Sequence, residues 1–130
     1  MSTDDRQSEA RTVADSKNLT VSGETSNGVL LASVAGRVDG SNAQDFQSAI
    51  ETLLGDGAAA LVMDLENLAY ISSAGLRVIL LISRQMQGRS GKFGVCGLTG
   101  PISEVFALSG FDKIIPIHAA RADALSALGG

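Results

Sequence analysis

From Leu19 the chain alternates apolar and polar residues through LTVSGET, turns at SNG and runs apolar again through VLLASVAG. A period of two predicts strands, and an Asn-Gly pair between two such runs predicts a β-hairpin. The period then changes. In GRVDGSNAQDFQSAIETLLGDG, Ala43, Phe46, Ile50 and Leu53 recur at helical spacing, and Ser41 with Gln44 matches a capping box, so a first helix is expected there, stopping near Gly55. AAALVMDLENLAYI is a continuous apolar run ending in acidic and amide residues, which predicts one central strand covered on both faces. In AGLRVILLISRQMQG, Leu76, Ile79, Leu80, Ser83 and Met86 share one face of a second helix, over residues 74–87. KFGVCGLTG predicts another strand, and PISEVFALSG a short helix with Pro101 early and Gly110 late. KIIPIHA predicts a last strand, which Pro116 confines to an edge because proline has no N–H to give a ladder. RADALSALGG closes the chain as a final helix of about two turns.

A hairpin followed by alternating helices and strands predicts an α/β fold. The expected form is a mixed sheet of about five strands with about four helices, on at least one side. A chain of 130 residues with 45% hydrophobic content is enough for a single core. No internal repeat or interior linker divides it. Residues 1–17, MSTDDRQSEARTVADSK, carry mixed charge and almost no large apolar side chain, so they are expected to form a flexible polar tail, with residues 18–130 as the domain.

Composition removes several classes of function. A net charge of -4 opposes binding to a phosphate backbone, and four Phe, one Tyr and no Trp leave little with which to stack bases, so no nucleic-acid partner is expected. Apolar runs such as VILLI fall far short of the ~20 residues that span a bilayer, and no signal-peptide pattern opens the sequence. A cytoplasmic protein without membrane insertion is the expectation. With one cysteine, Cys96, and one histidine, there is no disulfide pair and no cluster of soft ligands for a transition metal. Cys96 reads as a small buried residue of the strand KFGVCGL, and no cofactor is implied.

The candidate chemistry lies in YISSAGLRVIL, where Ser72 and Ser73 stand between the apolar run and the second helix. One reading is an N-cap, a hydroxyl accepting from an unpaired backbone N–H. A second is a nucleophile. The hydrolase elbow needs Gly-x-Ser-x-Gly, whereas Ile71 stands two residues before Ser73, and the only candidate base is His118 far along the chain. A third is a regulatory serine that accepts a phosphoryl group from another protein.

MDLENLAYISSAGLRVIL resembles the signature of the STAS domain, specifically the anti-sigma factor antagonists: an Asp-Leu strand end, an apolar pair, a serine-bearing turn, Gly-Leu and an apolar helix. GRVDGSNAQDF resembles that family's Gly-x-Leu/Val-Asp segment, and the likeness extends from Leu19 to the final helix. The family's usual turn is Asp-Ser-Ser/Thr-Gly-Leu, with the serine after the Asp phosphorylated by a partner kinase. Alignment on Gly75 and Leu76 puts that serine at Ser73, while Ser72 replaces the acid and Ala74 the following hydroxyl residue, leaving Ser72 as the alternative acceptor. The resemblance implies a non-enzymatic, partner-switching phosphoprotein in signal transduction and transcription regulation. Unphosphorylated, it would bind an anti-sigma factor serine kinase and displace that factor's client; a PP2C-type phosphatase would restore Ser73. ATP and Mg2+ would belong to the kinase. A different class uses the same fold for constitutive binding, as a scaffold subunit of a transport or sensory complex.

Around the serines, Asp39 reads as a helix-entry turn residue, and the resemblance adds a contact with the kinase or its nucleotide. Asp64 reads as a strand-end carboxylate that holds a loop. On the second helix, Arg77, Arg84 and Gln85 surround Val78 and Leu81, which read either as core for a neighbouring helix or as a partner anchor with an arginine rim. Gly75 reads as small, either to admit another backbone or to relax the turn.

Overall fold

Asn27 and Gly28 have φ of 52° and 82°, the left-handed pair that a two-residue hairpin turn requires. They join β2 (Leu19–Ser26) to β3 (Val29–Val38), with Ser26 opposite Val29. In this computed structural model, which describes residues 11–129, the hairpin is the antiparallel part of a seven-stranded mixed sheet. Beyond β3, α1 (Ala43–Leu54) leads to β4 (Ala60–Asp64) and β5 (Leu68–Ile71), and α2 (Ser73–Gly88) leads to β6 (Lys92–Cys96). Then come α3 (Gly100–Ser109), a 3-10 turn (Phe111–Lys113), β7 (Ile117–His118) and α4 (Arg121–Gly129). The strand order is β1-β2-β3-β4-β6-β7, β1 being Arg11–Asp15, with β5 paired to β3.

Three expectations change. Arg11–Asp15, assigned from its polarity to a flexible tail, pairs with β2 as an edge strand, and Val13 and Ala14 pack against the core. Two partly buried side chains on a five-residue strand are too short an apolar signal to detect by alternation. Residues 1–10 of that expected tail lie outside the described residues. The run AAALVMDLENLAYI holds two strands, because the chain turns after Asp64, where Leu68 N–H bonds to Leu65 O. The expected strand in KIIPIHA shrinks to Ile117–His118, its start taken by the 3-10 turn. It does lie at the sheet edge, and Pro116 contributes only its carbonyl, which accepts from Val95 N–H at 3.0 Å. The first two of these changes take the sheet from about five strands to seven.

Side-chain alternation on β3 shows how the layers form. Leu30, Ala32 and Val34 point into a large core with Phe46 and Ile50 of α1, Ile79 and Ile82 of α2, and Ile102 and Phe106 of α3. Val29 and Leu31 point the other way, into a smaller core with Val62, Cys96 and Ala124 of α4. The sheet is therefore covered on both faces, which accounts for the unbroken apolar strands. Cys96 is buried, and burial, reinforced by the charge of Asp64, pushes its thiol up to about 12.

One feature of the sheet positions the site. The first half of β3 pairs with β4 (Leu30 with Leu61 through Ser33 with Asp64) and its last residues pair with β5 (Arg37 with Tyr70, Val38 with Ile71), all parallel. The carboxyl ends of β3 and β5 thus lie side by side, where open α/β sheets place their binding crevices.

Candidate functional site

The two loops leaving β3 and β5 begin in register. Ser72 N–H bonds to Val38 O at 2.9 Å, so the residue that opens α2 is tied to the residue before Asp39. The entry to α1 is built differently from the expected capping box. The N-cap is Asn42, without a side-chain cap bond; Ser41 donates its hydroxyl to Asp39 Oδ1 at 2.6 Å and its N–H at 2.9 Å. Those two bonds from Ser41 hold the Asp39 carboxyl below its ordinary value. Asn42 turns back instead, accepting from Asp39 N–H and donating to Arg37 O, each at 2.9 Å. It is buried at 8% exposure. The sequence signal for this lock is the Asn after Ser41, which the Ser-x-x-Gln capping-box match leaves without a role.

The adjacent serines occupy different positions at the helix start. Ser72 is the N-cap of α2, in extended backbone, its Oγ accepting from Gly75 N–H at 3.4 Å. Ser73 is the first helical residue, exposed, and its hydroxyl makes no hydrogen bond among the described residues. At that position the helix dipole and unpaired N–H groups favour negative charge. His118 is not near: it lies level with Cys96, Asp64 and Ser33 across the sheet, whereas Ser72 is tied to Val38, five residues and about 16 Å further along β3.

Gly75 faces inward, not toward a partner. A Cβ there would stand 2.7 Å from both Ile71 Cγ1 and Val38 Cγ1, so its smallness lets α2 sit close on β3 and β5. Of its two readings, Val78 takes the core and not the partner anchor. It is 5% exposed in the large core, because the buried arc of α2 widens toward α1, where Gln85 donates to Glu51 at 2.8 Å. Arg77, Leu81 and Arg84 stay exposed, and with Ser73 they form a stripe along the outer face of α2. Sequence reading also missed Arg37 and Tyr70, neighbours across the β3–β5 ladder; the guanidinium lies 4.5 Å from the centre of the ring.

Asp64 belongs to a separate structural cluster. Its Oδ1 accepts from Glu66 N–H at 3.0 Å, and its Oδ2 accepts from Arg121 Nε and Nη2 at 3.1 and 2.8 Å. It thereby holds the loop, as expected, and clamps the start of α4. The Asp64 contact raises the Arg121 pKa. Among the described residues there is no group of side chains with the makings of a metal site, and no helix is long and apolar enough to cross a membrane.

With this geometry, an exposed hydroxyl on a helix start beside a charged loop, the sequence profile of the STAS domain matches residues 20–124. BtrV of Bordetella bronchiseptica is 38% identical over 100 residues, covering 77% of this chain and 86% of that protein. The chain is a STAS domain of the anti-sigma factor antagonist family. RsfB of Mycobacterium tuberculosis, an anti-sigma-F factor antagonist, is 31% identical over 113 residues, covering 87% of this chain and 92% of RsfB. The crystal structure of an anti-sigma factor antagonist from Mycobacterium paratuberculosis superposes with a TM-score of 0.81 at 29% identity, covering 91% of this chain and all of that one.

Proposed function

We propose that this STAS domain is a partner-switching antagonist: unphosphorylated, it binds a kinase-type anti-sigma factor in the cytosol and displaces that factor's client. The partner phosphorylates Ser73 with its own ATP and Mg2+, the complex separates, and a PP2C-type phosphatase restores the hydroxyl. The observation that carries this reading is the division of labour between the serines. Ser72 performs the capping, and Ser73 is exposed on the helix start with a hydroxyl that makes no hydrogen bond among the described residues. Asp39, locked by Ser41 and Asn42 on the adjoining loop, supplies a fixed negative charge to the same surface. Arg77, Leu81 and Arg84 extend it along α2. The domain contributes no catalytic group of its own to this cycle.

The test is a pull-down from native cytosol, then incubation of the captured kinase with the domain and ATP, with the phosphosite mapped by mass spectrometry. One phosphate on Ser73, abolished by Ser73→Ala and retained in Ser72→Ala, is the expected result. Phosphate on Ser72 would move the acceptor by one residue. Stable capture of a partner with no incorporation would replace the switch with constitutive scaffolding.

A further inference from the structure

Arg77 lies four residues after Ser73 on α2, so one helical turn places the two side chains on the same outer face, with Cβ atoms about 5–6 Å apart. Both are exposed, and among the described residues Arg77 makes no ion pair. The other charges at this end of the sheet are differently committed. Arg37 is stacked on Tyr70, and Asp39 is held as a carboxylate by Ser41. A phosphate on Ser73 would bring about -1.5 to -2 charge to a neighbourhood that already holds the Asp39 anion.

We propose that Arg77 is the internal counter-ion of phosphorylated Ser73. It pairs with the phosphate across one helical turn, offsets the repulsion from Asp39 and favours the dianion over the monoanion. This inference rests on Ser73 as the acceptor and adds a positioning residue to that site. The geometry favours the pair in two ways. The donor is anchored on the same rigid helix as the phosphate, and the i, i+4 spacing with the anion nearer the N-terminus agrees with the helix dipole. Arg84 lies on the same stripe but eleven residues from Ser73, about 16 Å along the axis and beyond a direct contact.

The experiment needs no kinase. Phosphoserine is installed at position 73 during translation, in the full chain, and the phosphate is titrated by 31P NMR at low salt. Relative to the phosphorylated wild type, Arg77→Gln should raise the second phosphate pKa by about 0.2–0.4, roughly a twofold change in the ionisation constant. Arg77→Glu should raise it further and Arg77→Lys should largely preserve it, with the differences shrinking in 1 M salt. Arg37, Asp39, Asp45, Glu66, Arg84 and Glu104, charged groups on the elements and loops around this site, are common to every variant, so the difference isolates Arg77. Superimposable titrations of the wild type, Gln and Glu forms would overturn the pairing. Because the phosphate is introduced directly, a kinase that modifies another residue would refute Ser73 as the natural acceptor while leaving the electrostatic result to stand.

Discussion

Replacing Gly75 by alanine tests how the site is held, because two opposing effects can be weighed from the structure. An alanine inside a helix is favoured over glycine by about 1 kcal/mol. Against this, the new Cβ would lie 2.7 Å from Ile71 Cγ1 and from Val38 Cγ1, about 0.7 Å inside the 3.4 Å at which ordinary contact begins. Both neighbours are β-branched residues on paired strands, with little χ1 freedom to move aside. Overpacking in a dense core costs about 1–3 kcal/mol, and two rigid neighbours argue for the upper half of that range. The net expectation is a loss of about 1–2 kcal/mol. Gly88→Ala is the matched control: it lies at the other end of α2, where an added Cβ would meet nothing within 4 Å, and should be neutral or stabilise by up to about 1 kcal/mol. Urea unfolding of both variants supplies the stabilities, and a partner titration should show weaker binding only for Gly75→Ala, whose helix start must shift away from Asp39. If Gly75→Ala is as stable as the wild type or more so, the close seating of α2 is refuted as the reason for glycine there.

Other consequences can be measured on the same scale. Ser72→Ala should cost about 0.5–1 kcal/mol, the low end for a cap because its bond is long, while Ser73→Ala should leave the unfolding midpoint nearly unchanged; equal losses would contradict the division of roles. Truncation through Asp15 should destabilise by about 1–3 kcal/mol in chemical denaturation, since it removes an edge strand and the partly buried Val13 and Ala14. Arg121→Ala should cost about 1–2 kcal/mol, less than a fully buried pair because the arginine is 46% exposed, and Arg121→Lys should recover part of that; thermal unfolding reads both. Asp39 and Glu51 have folded pKa values lowered by Ser41 and by Gln85 with Gln47 respectively, so their small contributions are complete above the ordinary 3.8 and 4.5 and are lost as pH falls through the lower folded values. The urea midpoint should therefore be flat above about pH 5 and fall below it, less steeply in Asp39→Asn/Glu51→Gln.

Much of the element order was legible because the chain states it locally. The Asn27-Gly28 turn, the helical spacing of Phe46 and Ile50, and the serine pair ahead of Leu76 are short-range signals, and each has its expected place in the fold. What escaped depends on contacts across the sequence. Residues 11–15 become a strand because β2 offers an edge, not because RTVAD declares one. The break between β4 and β5 arises because β3 exchanges one parallel partner for the other, and a continuous apolar run carries no mark of that exchange. The family signature pointed to Ser73 and Asp39; the helix pattern by itself left Val78 open between core and partner anchor, and only the packed structure puts Val78 in the large core and Gly75 against Ile71 and Val38. Arg121 is 57 residues from Asp64, and nothing in RADAL announces the pairing.

The placement of Ser73 also decides where the free energy of a phosphate would be felt. On the free domain, a negative charge at the first turn of a helix is worth about 0.3–1 kcal/mol in favour of the fold, and no core side chain has to move to receive it. On docking, the same group and the Arg77 side chain paired with it must lose their water against a partner surface, at a cost of several kcal/mol per ion that their mutual attraction repays only in part. The two effects differ in sign and by several-fold in size. Modification therefore leaves the domain folded while nearly all of the penalty falls on the complex. A phosphate on Ser72 instead would take its Oγ from the cap bond to Gly75, and would act on the helix start that seats α2 against Val38 and Ile71. A serine one residue further on, outside the cap yet fixed by it, separates the stability of the fold from the affinity of the surface.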